Sequence, residues 1–160
     1  MLFRSSPRAQ AFAAYVAAQR WWIDDYALFR AIAETYPTVA WTDWPEPLRQ
    51  RQPDALAHEW RARETRVRFH QYAQWVADTQ WHDARAAAGR LGVALFGDLP
   101  FMVGGHSADV WARQAEFALD VSLGVPPDAF SDTGQDWGMP VYRWPVCETN
   151  GDRKSTRLNS

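Results

Sequence analysis

At 160 residues with 47% apolar side chains, the chain is long enough to bury a sizeable core, and one domain suits it. A net charge of −2 argues against nucleic acid or an anionic membrane as main partner. The single cysteine, Cys147, can form no internal disulfide, which suits a reducing compartment such as the cytoplasm. No apolar run approaches the roughly 20 residues of a membrane helix.

Residues 1–23 hold Arg4, Arg8 and Arg20 and no acidic side chain, a faint transit-peptide trait. Gln10 and Gln19, however, flank an alanine-rich run too polar at its edges for a secretory segment, so a plain helix is expected. Ser6 before Pro7 starts it, and Phe12, Tyr15, Val16 and Gln19 carry it to about Gln19. A second helix is expected from Asp24, because Trp22, Tyr26, Phe29, Ile32, Ala33 and Tyr36 recur at spacings of three and four and Pro37 ends the run. Residues 41–45 read as a loop and residues 46–50 as one turn. Pro53 opens a helix with Leu56, Ala57 and Trp60 inward. A long helix follows from Glu64 to Leu91, about 40 Å at 1.5 Å per residue, loosened by Gly89 and ended by Gly92. At about 100° per residue Arg61, Arg63, Arg66 and Arg68 point in at least three directions, so they form no nucleic-acid stripe.

Val93-Ala94-Leu95-Phe96 is a continuous apolar run, which predicts a buried parallel strand over about 93–98. One helical turn is expected at Ser107–Ala112, with Trp111 inward. Residues 120–146, with Gly124, Gly134, Gly138 and four prolines, read as one long irregular loop. The fold class is therefore α/β.

The candidate chemistry sits in the last third. Asp98 follows the apolar run, where β/α enzymes place catalytic or binding groups, but aspartate also caps turns; Asp128, inside Pro-Pro-Asp, carries the same two readings. Gln135, Asp136 and Trp137 lie between two glycines. An amide, a carboxylate and an indole can grip a sugar, or the indole can plug a self-packed loop. The ten tryptophans pose the same choice on a larger scale, between core rings and sugar-stacking faces. His58, His70, His82 and His106 lack metal-ligand spacing, Cys147 has no partner ligand, and no nucleophile elbow or phosphate loop occurs. No metal or cofactor is expected.

Gly97-Asp98-Leu99-Pro100, Ser107-Ala108-Asp109-Val110-Trp111-Ala112, Gly124-Val125-Pro126-Pro127-Asp128 and Phe130-Ser131 together resemble amylomaltase, the 4-α-glucanotransferase of glycoside hydrolase family 77. Thr133-Gly134-Gln135, Trp137-Gly138, Pro140 and Tyr142-Arg143-Trp144 continue the likeness. Upstream, Trp22, residues 24–29 and residues 69–75 are similar to that family's helical insertion. The resemblance implies a fragment of a (β/α)₈ barrel, a fold that takes about 250 residues. It would comprise a helical insertion subdomain over 1–91 and a barrel strand plus substrate loop over 92–151. Its implied substrates are α-1,4-glucans and maltooligosaccharides, contacted by Asp98, Asp128, Phe130, Gln135 and Trp137.

Retaining transfer needs a nucleophile and an acid/base carboxylate about 5 Å apart. The family carries both on later barrel strands, so no catalytic residue is assigned in this chain, which is expected to be inactive alone. Ala129 stands where the family loop often has an aromatic. Residues 152–160 are polar and aperiodic and read as a non-native tail. The alternatives are an α-glucan hydrolase of the same superfamily and a non-catalytic glucan-binding module. A helical interaction protein would leave the loop motifs unused.

Overall fold

The Ser6 hydroxyl accepts a hydrogen bond from the Ala9 N–H at 3.2 Å and Pro7 takes the first helical position, where its missing N–H costs nothing. The helix so begun, α1 (Pro7–Ala33), runs unbroken, whereas the sequence predicts two helices meeting near Gln19–Asp24. The reason is local: no glycine or proline interrupts residues 19–24. Asp24 does not cap a new helix but accepts from Gln71 Nε2 at 2.8 Å and lies 3.4 Å from Arg20 one turn back. The computed structural model describes residues 6–98 and 102–151, and the chain divides after Asp98 into two compact units. The expected tail at 152–160 lies outside the described residues.

In the first unit α1 is followed by a 3-10 turn at Trp41–Asp43, α2 (Glu46–Arg49), α3 (Pro53–Ala62) and α4 (Glu64–Arg90). Its core is made by Ile23, Ala27, Leu28, Phe29, Ala31 and Ile32 of α1 against Trp41, Trp44, Leu48 and Val67. Each fully buried aliphatic side chain of this kind contributes about 1.5–3 kcal/mol. The Phe29 and Trp44 rings stand 5.3 Å apart, so here tryptophan serves the core.

Polar clasps fasten α4 to the end of α1. Arg66 forks onto Glu34, Nε to Oε2 at 2.7 Å and Nη2 to Oε1 at 2.6 Å, and the buried His70 lies with Nε2 2.9 Å from Glu34 Oε1. Arg63 reaches Thr35 and Glu59, and the Arg68 guanidinium sits over Phe12. Arg63, Arg66 and Arg68 thus go to separate partners and form no stripe. Burial lowers the His70 pKa, opposed by Glu34, so the imidazole is neutral at pH 7 and its Nε2–H donates to the carboxylate.

The end of α4 is a Schellman closure: Val93 N–H donates to Ala88 O at 2.9 Å and Gly92 N–H to Gly89 O at 3.1 Å. Beyond it the expected strand over 93–98 is not formed. Residues 93–98 carry no ladder, and Val93, Leu95 and Phe96 are exposed. A parallel strand exists through hydrogen bonds to neighbouring strands, and the ladder among the described residues joins two other segments.

Those segments lie in the second unit. Ser107 caps the short α5 (Ala108–Ala112), accepting from Val110 N–H at 3.3 Å, and Trp111 is wholly buried as expected. After a 3-10 turn at Gln114–Glu116, β1 (Phe117–Val125) pairs antiparallel with β2 (Gln135–Tyr142), and α6 (Trp144–Thr149) follows. The irregular loop expected over 120–146 is therefore largely a hairpin, with residues 126–134 as its connection. Its base is held by Glu116, whose carbonyl accepts from Arg143 N–H at 2.7 Å and whose Oε1 accepts from Asn150 Nδ2 at 3.1 Å. Phe117, Tyr142 and Trp144 form a row of rings 4.8 and 5.0 Å apart. No helix among the described residues is long and apolar enough to cross a membrane.

Arg66, with His70 second, holds the Glu34 carboxyl down at about 2 against an ordinary 4.5. Since the folded pKa is the lower one, the clasp stabilises above about pH 4.5 and is lost as pH falls towards 2. Glu34→Gln is expected to lower Tm by a few degrees at pH 7 and to flatten the decline of Tm between pH 5 and 2, as followed by circular dichroism. Parallel Tm-against-pH curves for the two proteins would rule the clasp out as a stabilising element.

Candidate functional site

The hairpin ladder is not regular, and its irregularities decide which side chains it displays. Ala118 pairs with Val141 but Ser122 with Pro140, so Leu119, Asp120 and Val121 are extra on β1; Leu123 pairs with Met139 but Gly124 with Asp136, so Trp137 and Gly138 are extra on β2. Such bulges bend a strand and re-aim its side chains. Pro140, which cannot donate to a ladder, sits at one of these breaks.

Gly124 makes the second slip possible. A Cβ there would lie 2.3 Å from the Gln135 carbonyl oxygen, closer than any side chain allows. Trp137 then stands in the bulge with 41% of its surface exposed, and its indole N–H donates to Gln135 Oε1 at 3.1 Å. The amide fixes the edge of the ring while leaving much of the ring surface to solvent. Asp136 Oδ1 accepts from the Gly138 N–H at 2.9 Å and from the Ser122 hydroxyl across the hairpin. Those two bonds, Ser122 first, hold its carboxyl below the usual carboxylate range, so it is ionised near neutrality.

The connection is shaped by Asp128. Its Oδ1 accepts from the N–H groups of Phe130 (2.8 Å) and Ser131 (2.9 Å), and its own N–H donates to Ser131 O at 3.0 Å. The turn so tied presents Phe130 with 94% of its surface in solvent. Exposing a phenyl ring this fully gains the chain nothing by folding. Asp128 therefore acts on the backbone, as its turn reading predicts, while Phe130 is displayed by it.

The structure thus joins the expected site residues in two pairs, Asp128 with Phe130 and Gln135 with Trp137. Asp98 belongs to the first unit, at the end of the exposed stretch after α4, and Leu99 and Pro100 of its motif lie outside the described residues. Ser122 is the participant that sequence reasoning misses. It lies 14 positions from Asp136, and its role follows from register alone. Among the described residues no three histidine, cysteine, aspartate or glutamate side chains come together as a metal site needs.

Comparison with known proteins agrees with these motifs. Residues 2–153 match the family model described as 4-alpha-glucanotransferase. The chain is 43% identical to the 4-alpha-glucanotransferase of Thermus thermophilus over 155 residues, covering 92% of this chain and 31% of that protein. It is 40% identical to a chloroplastic/amyloplastic 4-alpha-glucanotransferase of Oryza sativa over 136 residues, 81% of this chain and 23% of the relative. Its fold superposes with a TM-score of 0.83 on amylomaltase from Streptococcus agalactiae in complex with acarbose, at 29% identity, over 92% of this chain and 31% of that one. The chain thus spans about a third of the length of these relatives, or less.

Gly124→Ala is expected to destabilise the second unit by about 1–3 kcal/mol, because the added methyl meets backbone that must move. Urea unfolding followed at the buried Trp111 measures it, and an unchanged midpoint would mean that the hairpin closes by another register.

Proposed function

We infer the function from one premise: the chain belongs to the 4-alpha-glucanotransferase family. The protein that contains it is proposed to cut α-1,4-glucans and pass the glycosyl segment to a sugar acceptor, with retention of configuration. In such chemistry one carboxylate attacks the anomeric carbon, a second protonates the leaving oxygen, and a sugar hydroxyl then displaces the enzyme. No residue of this chain is assigned either role. The chain is proposed to supply substrate contacts from the hairpin and from the segment ending at Asp98.

The observation that carries this reading is the Trp137 indole, tethered at its N–H by Gln135 and open to solvent. An aromatic face held at its edge suits the C–H face of a glucose ring, and the desolvation gained on stacking is of the order of 1 kcal/mol. Phe130 supplies a second exposed ring, on a turn that Asp128 ties. Asp98 would accept sugar hydroxyls, with residues 93–98 as a barrel strand in the longer protein and residues 1–91 as the helical insertion beside it. The exposure of Val93, Leu95 and Phe96 supports that assignment, since a barrel strand is apolar and buried on both faces. Acarbose, bound by the Streptococcus agalactiae relative, is an expected ligand. A cytoplasmic setting is supported by the lone reduced cysteine; the plastid designation of the rice relative makes a plastid the alternative.

The test is incubation of the longer protein with maltotriose and chromatography of the products. Glucose together with longer maltooligosaccharides is expected; glucose and maltose alone would assign hydrolysis instead. Trp137→Ala is expected to raise the KM for maltotriose about 5- to 10-fold, the equivalent of roughly 1–1.4 kcal/mol. An unchanged KM would remove Trp137 from the substrate contacts.

A further inference from the structure

We propose that Asp136, acting with Ser122, is the positioning residue for Trp137: its carboxylate clamps the two-residue bulge on which the indole is displayed. The inference rests on the reading of Trp137 as a sugar contact and deepens it.

Two extra residues inserted in a strand are held by no ladder register, and leaving them mobile would spread Trp137 over many directions. Ordering a residue's backbone costs conformational entropy, so some contact must oppose that spread. The contacts present converge on one atom. Asp136 Oδ1 receives the Gly138 N–H, which closes the bulge on its far side, and the Ser122 hydroxyl, which ties it to β1. Gly138 has φ +63°, and a Cβ there would meet nothing within 4 Å. Glycine is therefore needed for its backbone conformation and not for space, and Asp136 accepts the N–H that this conformation presents. Gln135 restrains the ring itself through Nε1, so main chain and side chain of Trp137 are held by its two preceding neighbours in turn. Asp136 spends Oδ1 on the hairpin's own donors, and through them it acts on Trp137.

The experiment is a double-mutant cycle in the longer protein with maltotriose, combined with NMR of the Trp137 indole N–H in the 160-residue chain. Asp136→Ala is expected to raise KM about 3- to 5-fold with kcat changed less than twofold. Asp136→Asn, which keeps an acceptor oxygen in place, restores most of the loss. In a Trp137→Ala background Asp136→Ala has no additional effect. In the isolated chain Asp136→Ala shifts and broadens the Trp137 indole resonance, while the indole resonance of the buried Trp111 stays put and reports that the fold is intact. Additive KM effects, or an indole resonance unmoved by Asp136→Ala, would overturn the proposal. If Trp137→Ala itself leaves KM unchanged, the sugar-contact reading fails. The clamp is then judged by the indole resonance alone, movement supporting it and constancy overturning it.

Discussion

The second unit turns on a close approach of two backbones. At Gly124 the chain passes so near the Gln135 carbonyl that a single methyl group would stand 2.3 Å from its oxygen. That approach pairs Val125 with Gln135 and Gly124 with Asp136, and the next pair, one residue along β1 but three along β2, is Leu123 with Met139. The excess length on β2 must then leave the ladder, and it leaves as Trp137 and Gly138. Display of the indole is thus a consequence of where the hairpin can close, and Ser122, Gln135 and Asp136 refine a geometry that sterics has already imposed.

The aromatic residues divide by task. Trp41, Trp44 and Trp111 are buried, and Trp44 packs beside Phe29 in the helical unit. Phe130 and Trp137 are held outward by hydrogen bonds made by neighbouring side chains. In the hairpin unit a carboxylate fixes the backbone that carries Phe130, and an amide fixes the indole of Trp137. Hydrogen bonds are directional where apolar burial is not, so these are the rings whose orientation is specified from outside a core.

Much of the helical unit was legible from the chain. Ser6-Pro7, the three-and-four spacing of Tyr26, Phe29, Ile32 and Ala33, and Gly92 after the long helix each signal a local preference that tertiary packing leaves in place. The break expected near Asp24 failed because a carboxylate able to cap a helix was recruited sideways by Gln71, a partner 47 positions away. The hairpin was illegible for a related reason. A strand announces itself by alternation, and two bulges together with Pro140 erase the period of two. The run at 93–98 forms no ladder here: its composition suits a barrel interior, but a strand is a property of paired segments and composition names no partner. Of the candidate site, residue types could be read and positions could not. Gln135 and Trp137 stand out in the sequence by type and by their flanking glycines, but Ser122 needs the register.

Cys147 carries a practical consequence. It is the one thiol in 160 residues, wholly buried on α6, with its sulfur 3.8 Å from the Glu116 carbonyl that also anchors the hairpin base. A buried thiol is unreactive until its surroundings open. Alkylation at this position therefore clocks the opening of α6 from the hairpin base, silent to fraying in α1–α4, and gives an intrinsic timer for the unit that displays Trp137.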